Sequence, residues 1–379
     1  MDTVVQECYG KLVQFWKNYA FHDYQDMLTS IGTAWTSYQK TVDSPFIKLA
    51  NGQYRRDEKD PRWQVFHVQD LDYFDRHQAT LFDKKSVKLY RNLLMWMNTQ
   101  YLEYKGKRYL SDEQVPEPAI PRPFQGDLRQ AKIIYLVLNS GENLRLSELN
   151  VIQQAQTFET RERIFINIKK EYTEKKEFAA IEAEERYGGN GWYHKYYAGP
   201  RSLFTDERYQ GKFSMKQDLA EISLFAYPTG GGKNIPLELH AALQALPSAQ
   251  VLIQYVQAYV AALATQQLEK CFVIRELDGW QQIFDQTALK DFFVGHAFVG
   301  LNGQMHLSVA NLYTLAEKAD YLSLREQLKK EEGVRTSKGL NNHEKLVAFK
   351  AHHLEECAFT ASLDGLLYDR KQCLQKQLN

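Results

Sequence analysis

Long hydrophobic runs are missing from this chain, and so is any excess of charge of one sign. No apolar stretch reaches the roughly 20 residues that a membrane-spanning helix needs, and Met1-Asp2-Thr3 leads straight into a helical pattern without a signal peptide. Cysteine is scarce: Cys8, Cys271, Cys357 and Cys373 have no paired metal-ligand spacing, which argues against a zinc module and against a disulfide framework. The expectation is a cytoplasmic protein with reduced thiols, no membrane partner and no obligatory protein partner. Lysine plus arginine number 47 and aspartate plus glutamate 47, so the formal net charge is zero. That excludes a protein that coats nucleic acid by charge alone, because non-specific affinity comes mainly from neutralising phosphates. A local basic groove is still compatible with the balance.

Aromatic side chains are abundant: 23 Tyr, 20 Phe and 6 Trp in 379 residues. Most are expected to pack in a core or between helices, while a protein that stacks on bases needs some of them exposed. Residues 1–124 read as a helical, aromatic-rich region, with apolar positions at helical spacing around Leu12 to Trp16, Tyr24 to Ile31 and Val87 to Leu102. Asn51 to Pro61 reads as a polar loop. Val115 to Pro123 holds four prolines, cannot be helical, and reads as a linker.

Residues 125–315 alternate strand and helix signals. Lys132 to Asn139 is an apolar, β-branched run that reads as a fully buried strand stopping at Asn139-Ser140-Gly141. Ile222 to Tyr227 is a second apolar run, Cys271 to Ile274 a third strand and Phe292 to Phe298 a fourth. Between the second and third, Pro247 and Ser248 open a helix with Val251, Leu252, Tyr255, Val256, Tyr259 and Val260 on one side. This alternation implies a parallel or mixed sheet covered by helices. An insertion at 149–216 begins charged and helical and ends rich in glycine and aromatics, and everything after Leu312, including the region 316–379, reads as helical and charged. In open α/β sheets ligands bind just outside the carboxyl ends of the strands, which puts Asn139 at a crevice mouth and Gly141 where backbone can approach a ligand.

Four segments, in this order, resemble the uracil-DNA glycosylase superfamily. Leu138-Asn139-Ser140-Gly141 resembles the first motif of its Asn-bearing branch, which ends the first core strand in Asn-Pro-Gly; here Ser140 stands where proline is usual. Phe225-Ala226-Tyr227-Pro228-Thr229 resembles the aromatic segment that stacks on an extruded base. Arg275 to Trp280 resembles an Arg and Trp pair recurrent in uncharacterised relatives. His306-Leu307-Ser308-Val309-Ala310-Asn311 resembles the second signature loop, which begins with histidine and has a serine two residues later. The resemblance covers about residues 125 to 315. It implies an α/β, three-layer fold with a central, mainly parallel four-stranded sheet, here with helical N- and C-terminal elaborations. It also implies DNA as partner, no cofactor and no metal, and removal of a damaged or modified base by base flipping, a chemistry that some members turn against phage DNA.

Cleaving an N-glycosidic bond leaves an oxocarbenium-like sugar and an anionic base. Asn139 suits the orientation of the hydrolytic water, a neutral His306 suits a hydrogen bond to the departing base, and the Glu142 carboxylate suits help in activating water. Ser140, Gly141, Tyr227, Ser308, Asn311 and Trp192 are the expected substrate-binding residues, with Tyr227 offering a π-face and Trp192 lying in a glycine-rich lid over the pocket. Each has a structural reading beside this one: Asn139 satisfying turn backbone, Tyr227 in the core, His306 in a hairpin, Glu142 at a helix N-terminus. Two other functions fit the same residues. Ser140 in place of proline suits a catalytically idle nucleic-acid binding or sensing protein, and the neutral charge permits a free nucleoside or nucleotide N-glycosidase. Thr229 to Asn234 is not the phosphate loop of an NTPase, because Tyr227 stands where its first glycine belongs and Asn234 where its Ser/Thr belongs; its backbone amides and Lys233 suit an approach to a DNA phosphate, and a flexible connector is the simpler reading.

Overall fold

The computed structural model describes residues 3–38, 46–82, 120–131, 133–142, 215–230, 240–265, 271–274, 277–285, 287–291, 293, 298–300, 312–314 and 323. The helical pattern at Val87 to Leu102, nearly all of the insertion at 149–216 and the region 316–379 apart from residue 323 lie outside them.

The chain opens with two helices, α1 (Thr3–Lys17) and α2 (Tyr24–Ser37). In α1 the residues Val5, Tyr9, Leu12, Val13 and Trp16 recur at helical spacing and share the buried face. A short antiparallel hairpin follows, β1 (Phe46–Lys48) with β2 (Tyr54–Arg56), then a 3-10 turn (Pro61–Val65) and helices α3 (Val68–Arg76) and α4 (Gln78–Leu81). The stretch from Asn51 to Pro61 therefore contains a strand, and its burial is divided: Asn51, Gly52, Gln53, Arg55, Glu58 and Lys59 are exposed, while Pro61 and two acids turn inward. Asp57 and Asp60 are buried. Asp60 caps the 3-10 turn by accepting the Arg62 backbone N–H at 3.0 Å, and its carboxylate takes the Arg62 Nε–H at 2.9 Å. A polar sequence can be buried when its charges satisfy one another.

Six strands form one sheet: β3 (Phe124–Gln125), β4 (Ile133–Glu142), β5 (Leu219–Gly230), β6 (Cys271–Ile274), β7 (Phe298–Gly300) and β8 (Leu312–Thr314), in the order β3-β5-β4-β6-β7-β8. The β5–β4, β4–β6 and β6–β7 pairs are parallel, and the outermost pair on each side is antiparallel. Helix α5 (Met215–Asp218) leads into β5, α6 (His240–Gln244) and α7 (Pro247–Ala264) connect β5 to β6, and α8 (Leu277–Asp285) follows β6. Helix α7 starts where Pro247 needs no N–H partner, and it buries Leu252, Tyr255, Val256, Tyr259 and Val260.

Three boundaries differ from the sequence expectation. The last residues of the proline-rich stretch are a sheet-edge segment: residues 120–123 are buried, the Arg122 N–H donates to the Ala226 carbonyl at 2.6 Å and the Ser223 N–H to the Pro123 carbonyl at 2.9 Å. Proline is tolerated there because an outer strand has one side free of ladder demands. Gly126 then turns the chain with φ +80°, and a Cβ on it would lie 2.5 Å from the Leu219 carbonyl oxygen. The run from Phe292 to Phe298 divides between helix and strand. Phe293 is helical and stacks on Phe284 of α8 with centroids 3.8 Å apart, and β7 begins only at Phe298. Leu312–Thr314 is a strand where a helical region was expected to begin.

Buried apolar residues from Val5 to Phe293 make one cluster. Helix α1 lies on α7, with the Tyr9 and Tyr255 rings 5.8 Å apart, and α3 also meets α7. The change of pattern near residue 124 thus separates two kinds of sequence and not two cores. Among the described residues no helix is long and apolar enough to cross a membrane.

Candidate functional site

Within the parallel set the first strand in the chain is β4, the second β5, the third β6 and the fourth β7, and their spatial order is second, first, third, fourth. The chain moves to one side of β4 to make β5 and then to the other side to make β6. In open α/β sheets ligands bind outside the carboxyl ends of the two strands that flank such a reversal, a position held here by β4 and β6. Strand β4 does not stop at Asn139. It continues to Glu142, with Asn139↔Phe225, Gly141↔Thr229 and Glu142↔Gly230 paired to β5 across an irregularity between Asn139 and Gly141. Its last pair with β6 is Leu136↔Ile274. Past that point β4 has, among the described residues, a strand on the β5 side alone. Asn139, Ser140, Gly141 and Glu142 all lie on this overhang, so Glu142 is a strand residue and not a helix N-terminal acid.

The other motif is anchored at the same edge. Gly300 at the end of β7 pairs with Leu312 at the start of β8. Both anchors of the stretch carrying His306, Ser308 and Asn311 therefore sit at the carboxyl edge, with β6 between β7 and β4, a separation of about 10 Å. His306, Ser308, Asn311 and Trp192 themselves lie outside the described residues.

Tyr227 is in a different place from the one expected. It is 0 % exposed, and the rings of Phe66, Phe225 and Trp16 pack around it at 4.3, 5.4 and 6.3 Å. Its hydroxyl donates to Asp70 Oδ2 at 2.5 Å and accepts the His67 backbone N–H at 2.8 Å. An aromatic so enclosed has no face for a flipped base, and Tyr227 is corrected here to a core residue.

The network behind it was not visible in the sequence. Leu246, at the N-cap of α7, offers no capping side chain, and Asp70 supplies the missing acceptor from α3: its Oδ1 takes the Ser248 N–H at 3.0 Å. Burial raises the Asp70 carboxyl to about 6, against the lowering effect of the hydrogen bonds from Ser248 and Tyr227. Burial, and then the neighbouring Asp70 carboxylate, push the Tyr227 hydroxyl well above its usual range, so it keeps its proton and donates it. His67 caps α3: its Nδ1 accepts the Gln69 N–H at 3.2 Å while Nε2 donates to the Phe15 carbonyl at 3.0 Å, which fixes the neutral tautomer. The spacing His67-x-x-Asp70 at a helix start was the available signal. What it could not show is that the partner of Asp70 comes from a strand far along the chain.

A surface cleft of about 410 Å³ opens between α6, α7 and α8, walled by Gln244, Gln250, Gln257 and Gln282 with Ile253 and Asp285. Asp285 is paired with Lys290 at 3.5 Å, and none of the expected site residues lines this cleft. Among the described residues no group of three His, Cys, Asp or Glu side chains could hold a metal ion. No family model, no curated protein and no solved structure matches this chain.

Proposed function

We propose that the protein is a DNA glycosylase on a three-layer α/β fold like that of the uracil-DNA glycosylase superfamily, hydrolysing the N-glycosidic bond of a damaged or modified base. The observation that carries this reading is the coincidence of the Asn139 motif with the reversal of strand order between β4 and β6. Placement of a residue at such a point comes from topology and owes nothing to motif likeness. Asn139 orients the water, and His306, from a stretch whose two anchors lie at the same edge, donates to the departing base. Glu142, one strand pair beyond Gly141, supplies the carboxylate. Base stacking falls to the insertion around Trp192, since Tyr227 is committed to the interior. The test is incubation with duplexes carrying uracil, mismatched thymine, or hydroxymethylated and glucosylated cytosine, followed by alkali to reveal abasic sites. Release of none of these bases contradicts the proposal.

A second reading is favoured by the β4 ladder itself. Asn139-Ser140-Gly141 lies within a strand, where the Asn-Pro-Gly motif of the superfamily ends one. A nucleic-acid binding or sensing protein without hydrolysis needs the crevice and not the catalytic turn. Tight DNA binding with no base release, unchanged by Asn139→Ala, selects it.

A further inference from the structure

The overhang of β4 has a fastener on the side where β6 has ended. Val137 is the first residue past the last β4–β6 pair, and its carbonyl accepts the indole N–H of Trp280 at 2.9 Å. Trp280 is 0 % exposed. A side chain from α8 thus satisfies β4 where a strand no longer does, and α8 starts only a few residues after β6. Gly279, beside it, makes the close approach possible: a Cβ there would lie 2.9 Å from Leu138 Cδ1 and 3.3 Å from Leu224 Cδ2. Leu138 immediately precedes Asn139. From the far side the helix is held as well, since Gln244 of α6 donates its amide to the Gly279 carbonyl at 3.0 Å and Gln250 of α7 donates to the Gln244 carbonyl at 2.6 Å.

We infer that Gly279 and Trp280 are positioning residues for Asn139: they dock α8 onto β4 at Val137 and Leu138 and hold the overhang in a fixed orientation toward the crevice. Neither residue touches substrate. The inference rests on the proposed role of Asn139 in orienting water. Its physical core, that the clamp rigidifies residues 138–142, stands apart from that role. A reacting water is sensitive to displacements far smaller than those that unfold a sheet, so loosening the strand lowers kcat before it lowers affinity.

The test is Trp280→Phe in the full chain, which keeps a ring in the core and removes the donor, read by hydrogen–deuterium exchange and by kinetics on the duplex panel. The clamp predicts exchange about tenfold faster in residues 138–142, the loss expected for one buried hydrogen bond, with residues 252–260 of α7 unchanged. It predicts a kcat about tenfold lower with KM and DNA affinity unaltered. Exchange that rises equally in β4 and α7, or that rises nowhere, overturns the inference. So does a kcat that falls only with the folded fraction. Should Trp280→Phe fail to fold, Gly279→Ala reads the same contact through Leu138 with the indole intact, and the same outcomes decide. If the wild-type protein releases none of the bases, the glycosylase reading fails, while local acceleration at 138–142 still upholds the clamp and its absence still overturns it.

Discussion

Strands β4 and β5 run side by side in the same direction, in register from Ile133↔Leu219 to Val137↔Ser223, yet their carboxyl ends are held in opposite ways. The end of β5 is tied inward. Tyr227 is enclosed by rings and bonded to Asp70 and His67, and Asp70 in turn caps α7. The end of β4 projects past β6 and, among the described residues, is met on that side by the indole of Trp280 at Val137 and by Gly279 beside Leu138. The difference teaches where chemistry can reside. A strand end whose polar groups are already paired in the interior is structural, however suggestive its aromatic, whereas a strand that outlasts its neighbour leaves a step for a ligand.

The largest effect expected on the β5 side is a dependence of stability on pH. The Asp70 carboxyl sits at about 6 in the folded protein, against an ordinary value of 3.8. Between those values the native state holds a proton that the unfolded chain has released, so stability falls as pH rises through that window and levels above it. The loss is on the order of 3 kcal/mol. Urea denaturation between pH 3.5 and 7.5 reads it, provided that Asp70→Asn is run alongside to subtract the other carboxylates. A slope identical in the two proteins breaks the account of the β5 end.

Next in size, Tyr227→Phe leaves the Asp70 carboxylate and the His67 N–H without their buried partner, and should cost about 2 kcal/mol in a denaturation midpoint. Turnover per folded molecule should not change. Were Tyr227 a base-stacking residue, the phenylalanine variant would be as stable as wild type. Smaller still, Asp70→Asn at neutral pH should alter stability by about 1 kcal/mol or less. It gives up a desolvated charge while keeping an acceptor for the Ser248 N–H at the start of α7. A loss of several kcal/mol there would mean that the charge itself holds α7.

These contrasts also mark what the sequence could say. Local, periodic signals were legible: the apolar runs beginning at Ile133, Ile222 and Cys271 lie in β4, β5 and β6, and Pro247 does open α7. Polar burial was not. Asn51 to Pro61 reads as a polar loop because the partners of its charges, Arg62 for Asp60 and Asp75 for Arg56, lie outside it and leave no mark on its hydrophobicity. The fate of Tyr227 was equally hidden, since the choice between core and pocket was made by His67 and Asp70, some 160 residues away. The end of β4 was misplaced because Ser140 and Gly141 carry turn propensity, and the ladder with Thr229 and Gly230 overrides it. Of the proposed site, the Asn139 motif is readable from its position at the end of an apolar run. Trp280 belongs to a segment that carries the resemblance, but its acceptor, a backbone carbonyl, leaves no trace in sequence.

The central claim is that the overhang of β4, and not the end of β5, carries the chemistry. Asn139→Ala and Tyr227→Phe measured side by side on a duplex that the wild type cleaves test it most directly. The account predicts that Asn139→Ala lowers kcat on the order of a hundredfold or more with DNA affinity and denaturation midpoint unchanged, and that Tyr227→Phe lowers the denaturation midpoint with kcat and DNA affinity unchanged. Turnover that survives Asn139→Ala and is lost in a folded Tyr227→Phe protein would contradict it.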